Sequence, residues 1–216
     1  MNIPEELLCF AEHLLWPRAC PFCGALGRSA CVLCLLPLLE PPLPTDLGGL
    51  QLWSGGEHDG ILRELVLALK YGGDRTLGTA MGRALGRIFP CPGADLLVPV
   101  PLHRGSERDY NQSLALAEGI AKEWNLPVRN ALSWREHRSA QTSLDEAERK
   151  KLPDNAFEYR QEILSGKRAV LVDDVATTGT TFLRAAHAVE RAGGKIAVAL
   201  SWTCAPRTKA GMRAVR

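Results

Sequence analysis

The stretch "VLVDDVATTGTTF", which runs from Val170 to Phe182, decides the fold class. Its apolar start has the valine content and the continuity of a parallel strand buried on both faces, and a helical period follows it as far as Ala192. We predict a strand over 170–172, a loop over 173–181 and a helix over 182–192. In an open α/β sheet, such a loop lies at the carboxyl edge of the strands, where ligands bind.

Segments with the periods of helices and strands alternate along the rest of the chain. This alternation predicts an α/β fold with a Rossmann-like parallel sheet that helices cover on both faces. The prolines between 37 and 49 predict a stiff linker, which separates a small module over 1–45 from an α/β domain over 46–216. The other predicted helices are 3–15, 61–71, 76–89 and 112–124, and the other predicted strands are 95–100 and 195–200.

The loop after the central strand has the composition of a phosphate site. Its small and hydroxyl residues, from Ala176 to Thr181, let the backbone close around an anion while the amides of a helix N-terminus and the threonine hydroxyls donate to it. Gly179 suits a close approach of the backbone. The stretch is not a Walker loop, because no Gly-Lys-Thr follows a glycine and a four-residue spacer.

Two adjacent carboxylates, Asp173 and Asp174, precede that loop. At ~5 Å their charges would repel by roughly 3 kcal/mol at an effective dielectric constant near 20, so the pair predicts a ligand that offsets them. A cis-diol with a divalent metal would do so, and a diol beside a phosphate describes a ribose 5-phosphate. The structural alternative is a strand-end aspartate that caps the next helix, followed by ordinary turn residues.

Four of the seven cysteines form two C-x2-C pairs in "CPFCGALGRSACVLC". Four thiolates at this spacing are typical of a structural zinc site. Disulfides or unrelated buried thiols are the alternatives, and disulfides fit poorly without a secretory signal. The predicted zinc ligands are Cys20, Cys23, Cys31 and Cys34, whereas Cys9, Cys91 and Cys204 are interpreted as ordinary thiols.

The charge of the chain gives little reason to expect a polyanionic partner. The net charge is +2 at pH 7, which excludes a strong electrostatic attraction to nucleic acid or to a membrane. Glu5 and Glu6 stand where a signal peptide would need basic residues. The uncharged stretch from Ser29 to Leu39 is too short to span a bilayer. We expect a soluble cytoplasmic protein without membrane insertion.

Several motifs together resemble a known family. Residues 172–181 resemble the 5-phosphoribosyl-1-pyrophosphate (PRPP) motif of type I phosphoribosyltransferases. With "LALKYGGDRTLGTAMGRAL" (67–85), "LLVPVPLHRGSERDYNQSLALA" (96–117), "HRSAQTSLDEAERKK" (137–151) and the four cysteines, the chain resembles the ComF (ComFC/GntX-like) family over about 18–204. Members of this family join a zinc module to a phosphoribosyltransferase-like domain, and some are needed for DNA uptake in natural transformation.

The resemblance implies a role for each matching residue. The catalytic pair Asp173 and Asp174 would hold the ribose hydroxyls, directly or through Mg²⁺. The turn "PLHRG" would bind pyrophosphate, and a mobile loop over 138–157 would close over the site. The remaining implied PRPP-binding residues are Ala176, Thr177, Thr178, Gly179, Thr180 and Thr181 for the 5-phosphate, Leu102, His103 and Arg104 for the pyrophosphate, and Val175, Lys70 and Gln141.

The chain departs from the family pattern at two places. Asp109 stands where the family has a glycine, and Leu152 stands near the place of its usual asparagine. Nothing in the sequence resembles the hood that selects a purine or a pyrimidine. The resemblance therefore implies transfer of a phosphoribosyl group to an unidentified acceptor. The alternatives are a PRPP-binding regulator without turnover and a competence factor that binds single-stranded DNA or a helicase.

Overall fold

The computed structural model describes residues 19–27, 29–103, 110–135 and 155–206. No helix in these ranges combines the length and the apolar character that crossing a bilayer requires. The helices are α1 (Val32–Leu35), α2 (Gly60–Tyr71), α3 (Arg75–Ile88), α4 (Gln112–Trp124), α5 (Gln161–Leu164) and α6 (Thr180–Arg191). The strands are β1 (Thr45–Asp46), β2 (Gln51–Ser54), β3 (Leu96–Pro99), β4 (Leu132–Trp134), β5 (Phe157–Tyr159), β6 (Arg168–Ala176) and β7 (Lys195–Cys204).

Five of these strands form one sheet in the order β1-β2-β7-β6-β3. The pairs β2–β7, β7–β6 and β6–β3 are parallel, and the two-residue strand β1 pairs antiparallel with β2 at the edge. Strands β4 and β5 form a separate antiparallel pair. The predicted α/β class with a parallel sheet is confirmed.

The sheet has a hydrophobic core on each face, as its central strands require. Successive residues of β6 alternate between the two cores. Leu171 packs with Phe182 of α6 in one core, whereas Val170 and Val172 pack with Leu69 of α2 in the other. Helices α3 and α4 add Met81, Leu85, Leu116 and Ile120 to the second core. The continuous apolar run before Asp173 thus follows from burial on both faces.

The predicted end of the central strand is wrong. Strand β6 continues through both aspartates to Ala176, and α6 begins at Thr180, so the carboxylates lie in the strand and the connection is short. The physical reason is pairing with β7, which continues to Cys204 beyond the predicted end at residue 200 and keeps Asp173 opposite Ser201 and Ala176 opposite Cys204. Backbone hydrogen bonds to a neighbouring strand override the low strand propensity of aspartate.

The segment predicted as a linker over 37–49 contributes to the sheet. Its two strand residues form β1, and a tight turn follows in which Gly49 N–H donates to Asp46 Oδ1 at 2.5 Å. Both glycines of this turn have positive φ angles, +72° at Gly48 and +97° at Gly49. Periodicity cannot detect a strand of two residues, which is why β1 was not predicted. The predicted helix 3–15 lies outside the described residues, and the division at residue 45 stays a prediction.

Helices α3 and α4 approach each other unusually closely through glycine. A Cβ atom at Gly82 would lie 2.0 Å from the carbonyl oxygen of Leu116 and 3.0 Å from the Cα atom of Gly119. Both neighbours are backbone atoms, which cannot rotate away as a side chain can. Trp124 holds the far end of the contact, since its Nε1–H donates to Gly86 O at 2.9 Å.

We expect Gly82→Ala to lower the free energy of unfolding by at least about 2 kcal/mol, because overpacking against backbone outweighs the ~1 kcal/mol gain in helix propensity. Urea denaturation measures the difference. The exposed Lys122→Ala on α4 is the control and should stay within about 0.5 kcal/mol of the parent. A Gly82→Ala protein as stable as the parent would contradict the close helix contact.

Candidate functional site

The predicted acidic pair lies at the carboxyl edge of the sheet, beside the ends of two helices. Strand β6 carries Asp173 and Asp174, Lys70 comes from the last turn of α2, and Ser113 comes from the first turn of α4. Residues separated by many positions in the sequence meet here because the carboxyl ends of parallel strands share one edge.

Asp174 forms an ion pair with Lys70. The distance from Lys70 Nζ to Asp174 Oδ2 is 3.3 Å, and the two side chains are 20% and 11% exposed. A carboxylate with so little exposure requires a partner, because an unpaired buried charge is costly. The structure thus brings together Lys70 and an aspartate that the sequence assigned to the same site.

Asp173 is half-buried and accepts two hydrogen bonds on one oxygen. Ser113 Oγ donates to Asp173 Oδ1 at 2.8 Å, and the amide of Asp174 donates to the same atom at 2.9 Å. Burial, and then the charge of Asp174, raise the pKa of Asp173 to about 7, although the two hydrogen bonds and Lys70 act in the opposite direction. Lys70 alone therefore does not neutralise the two aspartates. A ligand that brings a positive charge or hydroxyl donors would bind favourably to them.

Neither aspartate caps α6. The N-cap residue is Gly179, which supplies no side-chain hydrogen bond, whereas the aspartates bond to Ser113 and Lys70. The capping alternative raised by the sequence is thereby ruled out for both residues.

We expect Asp173→Asn to stabilise the protein at alkaline pH. A folded-state pKa of about 7, above the ordinary 3.8, means that the folded state binds more protons, so stability is greatest below about pH 4 and falls as the pH rises to about 7. The variant should gain on the order of 2 kcal/mol more over the parent at pH 8 than at pH 5.

Urea denaturation at the two pH values tests this expectation. The exposed Glu158→Gln on β5 is the control and should show no such pH-dependent gain. If Asp173→Asn gains equally at both pH values, the carboxyl group of Asp173 does not titrate as described.

The hydroxyl-rich connection between β6 and α6 is short and ordered by its own side chains. Thr177 and Thr178 are exposed. The hydroxyls of Thr178 and Thr180 lie 2.8 Å apart, and the amide of Thr180 donates to Thr178 Oγ1 at 3.4 Å. Thr181 lies in the first turn of α6 and is half-buried. Exposed hydroxyls beside a helix N-terminus have the arrangement that donors to a bound anion require.

Gly179 is required for a reason that the sequence did not reveal. Its φ angle of +76° lies in the left-handed region, and a Cβ atom would lie 2.7 Å from Cδ1 of Leu47. Leu47 belongs to the turn between β1 and β2, which the sequence treated as linker. The glycine is therefore constrained by its backbone conformation and by a neighbouring side chain, in addition to any approach of a phosphate.

The first two predicted PRPP-binding residues after the acidic pair have core side chains. Val175 packs against one hydrophobic core, and Ala176 is 2% exposed in the other. Only their backbone atoms are therefore suited to meet a ligand.

The predicted pyrophosphate segment begins directly after β3. Leu102 is half-buried and His103 is exposed. Trp134 contacts this segment, since its Nε1–H donates to Pro101 O at 2.9 Å and its ring lies 5.2 Å from that of His103. The sequence assigned Trp134 no role, and a lone tryptophan on a short strand gives no signal for one.

Two predicted ligand residues lie outside the described residues. They are Arg104 in the pyrophosphate segment and Gln141 in the predicted mobile loop. Asp109 and Leu152, the two departures from the family pattern, also lie there.

His58 joins the site although the sequence assigned it no function. It follows β2, its Nδ1 lies 2.9 Å from Thr203 Oγ1, and its amide donates to Cys204 O at 2.7 Å. Burial lowers the pKa of its imidazole, as do Lys70 and Arg63, whereas Asp174 and Asp59 oppose the shift. A single histidine before a helix has no motif, so only the tertiary structure reveals its proximity to the acidic pair.

The four clustered cysteines converge on one point. The sulfur atoms of Cys20, Cys23, Cys31 and Cys34 all lie within 4.8 Å of one another, and those of Cys23 and Cys31 are 3.6 Å apart. Tetrahedral zinc at ~2.3 Å from each sulfur requires separations of about 3.8 Å. The cluster is therefore suited to a tetrahedral metal such as zinc.

The acidity of these thiols is uneven. Burial tends to raise the pKa of Cys20, but hydrogen bonds from the backbone of Phe22, Cys31 and Cys23 and from the Cys23 thiol bring it down to about 6. A hydrogen bond with Cys23, followed by burial, raises the pKa of Cys34 to about 12. A second thiolate thus forms reluctantly beside the first, and a divalent cation would remove that penalty.

We expect the purified protein to contain one zinc ion per chain, and Cys34→Ser to release it. The physical reason is that four thiolates lower the free energy of metal binding far more than three thiolates and a hydroxyl. Metal analysis by mass spectrometry measures the stoichiometry. Cys91→Ser, which removes an exposed cysteine outside the cluster, should keep the metal. Metal-free parent protein purified without chelators would contradict the assignment.

One family model matches the chain. Residues 111–213, just under half of the chain, match the model described as "Phosphoribosyl transferase domain". This region is thus similar to phosphoribosyltransferase domains. The matched region includes the acidic pair and the hydroxyl-rich connection, whereas Lys70 and the four cysteines precede it.

Solved structures of two enzymes are similar to this chain at low identity. An adenine phosphoribosyltransferase from Thermoanaerobacter pseudethanolicus is 15% identical with a TM-score of 0.42, and the alignment covers 80% of this chain and 99% of that one. The glutamine PRPP amidotransferase from B. subtilis is 22% identical with a TM-score of 0.41, over 57% of this chain and 25% of that one. This chain thus spans a quarter of the amidotransferase. No curated protein sequence matches the chain.

Proposed function

We propose that this protein is a PRPP-binding phosphoribosyltransferase of the ComF family with an acceptor still to be identified. The observation that carries the proposal is the incompletely neutralised pair Asp173 and Asp174, which lies at the carboxyl edge of the sheet directly before the hydroxyl-rich connection. A ribose diol would match the acidic pair, and a phosphate on the same molecule would match the neighbouring hydroxyl-rich connection.

The charges of the site support separate subsites for the parts of PRPP. The ribose hydroxyls would donate to the two aspartates. The 5-phosphate would lie at the N-terminus of α6, where backbone amides and the hydroxyls of residues 177–181 are donors. The pyrophosphate would be bound by Lys70 and by the backbone of Leu102 and His103. A negatively charged ligand is thereby bound by amides, hydroxyls and an amine rather than by the acids alone.

The acidic pair also fits Mg²⁺. Two carboxylates on adjacent residues are hard oxygen donors of the kind that Mg²⁺ prefers. Burial and the charge of Asp174 raise the pKa of Asp173, and a bound cation would favour its ionised form. Asp173 and Asp174 would hold the ion directly or through the ribose hydroxyls. Bound there, Mg²⁺ would offset the charge of the departing pyrophosphate.

In the proposed reaction, the bond between ribose C1 and the pyrophosphate oxygen breaks and a bond from C1 to the acceptor forms. Pyrophosphate leaves with the electron pair, and the acceptor loses its proton to solvent. The carboxylates would stabilise the positive charge that develops on the ribose, and Lys70 would stabilise the negative charge on pyrophosphate. The chain's contribution is therefore positioning and electrostatics.

The cellular role rests on the resemblance to ComF proteins. We propose a cytoplasmic protein whose zinc-binding module accompanies the transferase domain, and a contribution to DNA uptake in which single-stranded DNA or a competence helicase is the partner. A PRPP-binding adaptor without turnover is the alternative, favoured by the lack of any recognisable hood in the sequence. Pyrophosphate release in the presence of candidate acceptors distinguishes the two.

We expect PRPP with Mg²⁺ to bind, and the double variant Asp173→Asn with Asp174→Asn to bind it at least tenfold more weakly, because amides lose the charge that attracts the diol and the metal. Isothermal titration calorimetry measures the affinity. Asp95→Asn is the matched control, since Asp95 accepts a bond from Arg168 N–H at the amino edge of the sheet. Unchanged affinity in the double variant would contradict the assignment of the two aspartates to the ribose hydroxyls.

A further inference from the structure

Trp134 connects the antiparallel pair β4–β5 to the segment that follows β3. Its indole N–H donates to Pro101 O at 2.9 Å. Its ring packs on Phe157 with centroids 4.3 Å apart and meets His103 edge-on at 5.2 Å. One half-buried side chain thus contacts Pro101 and His103, on both sides of Leu102.

Trp134 packs on a residue of the hydrophobic core. Trp134 and Phe157 are register partners in the β4–β5 pair, and Arg135 N–H donates to Ala156 O at 2.9 Å. Phe157 is fully buried in the same core as Phe182 of α6. The indole therefore packs on a buried side chain of the core as well as on the segment after β3.

A second anchor for the residues after β3 is Asn111, which directly precedes α4. Asn111 Nδ2 donates to Val100 O at 2.9 Å, and its Oδ1 accepts the amide of Ser113, the residue that also bonds Asp173. The segment after β3 is thus tied at its start by Trp134 and beyond its end by Asn111. Of these two, Trp134 is the anchor that contacts the residues assigned to pyrophosphate.

The hydrogen bond that orients the Pro101 carbonyl also orients the N–H of Leu102. The carbonyl of Pro101 and the N–H of Leu102 belong to one planar trans peptide and point in opposite directions. The indole of Trp134 therefore orients the Leu102 N–H away from itself. A backbone amide of defined direction at the carboxyl edge of the sheet is a donor suited to an anion.

We propose that Trp134 is a positioning residue for the diphosphate group of the ligand: its indole N–H holds the Pro101–Leu102 peptide so that the Leu102 amide meets a diphosphate. The inference rests on the proposed function, because that function assigns the Pro101–His103 segment to pyrophosphate. It extends the proposal by separating the determinants of the diphosphate from those of the ribose 5-phosphate.

The test compares Trp134→Phe with Trp124→Phe. Both variants keep an aromatic ring and lose an indole N–H bond to a backbone carbonyl, but Trp124 bonds Gly86 O between α3 and α4. Affinities for PRPP, inorganic pyrophosphate and ribose 5-phosphate are measured by calorimetry with Mg²⁺. Trp134→Phe is expected to weaken the first two ligands three- to tenfold and to leave ribose 5-phosphate within twofold, whereas Trp124→Phe leaves all three unchanged.

A measurement on the parent protein covers the case in which Trp134→Phe does not fold. With selectively labelled tryptophan, the indole N–H resonance of Trp134 is expected to shift on addition of inorganic pyrophosphate and to stay in place with ribose 5-phosphate. The resonance of Trp124 should respond to neither ligand.

Three results would overturn the inference. Equal weakening of all three ligands in Trp134→Phe would make Trp134 a general structural residue, and unchanged affinities would remove its role altogether. In both cases PRPP binding by the parent leaves the proposed function intact. If the parent protein binds neither PRPP nor pyrophosphate, the proposed function fails and the inference fails with it.

Discussion

The rest of the site depends on one constraint: two carboxylates must be accommodated at the end of a strand that is buried on both faces. Strand β6 cannot move its end into solvent, because β7 pairs with it as far as Ala176. The charge must therefore be offset by neighbouring elements. Helix α2 supplies Lys70 to Asp174, and helix α4 supplies Ser113 to Asp173. These contacts fix how the ends of both helices lie relative to the sheet.

Lys70 and Ser113 offset the charge of the two aspartates only in part, as expected of a site that binds a ligand. Burial and the charge of Asp174 raise the pKa of Asp173 in spite of two hydrogen bonds and a nearby lysine, so ionising both carboxyl groups is unfavourable in the absence of a ligand. Sites built for binding commonly retain such a destabilising arrangement, because the ligand relieves it.

The four-cysteine cluster contacts the α/β fold on the face covered by α3. Ser29 Oγ lies 2.7 Å from Thr76 Oγ1 near the start of α3, and the buried side chains of Ala30, Leu35 and Leu39 join the core that contains Met81. Several apolar side chains near the cysteines stay exposed, among them Phe22, Leu26 and Leu33, so a bound metal would supply folding energy that a small local core lacks. Its contacts are with a helix rather than with the acidic pair.

The connection between β6 and α6 shows how a distant part of the chain shapes the candidate phosphate site. Leu47 covers Gly179 from the turn between β1 and β2, and β1 itself is only two residues long. Trp134 has a similar relation to the segment after β3. In both cases a side chain within or directly after a short strand contacts a segment that would meet the ligand.

The sequence by itself determined the α/β class, the acidic pair with its hydroxyl-rich connection, and the cysteine cluster. Each of these is a local pattern: an apolar run buried on both faces, adjacent functional residues, or two short metal-binding spacings. Lys70 and the aspartates could be assigned to one site only by resemblance. The tertiary structure decided that the aspartates lie within β6, that Ser113 and Lys70 offset them, and that His58, Leu47 and Trp134 lie beside the site. These features depend on pairing between strands and on contacts between residues far apart in the chain, and neither leaves a periodic trace in the sequence.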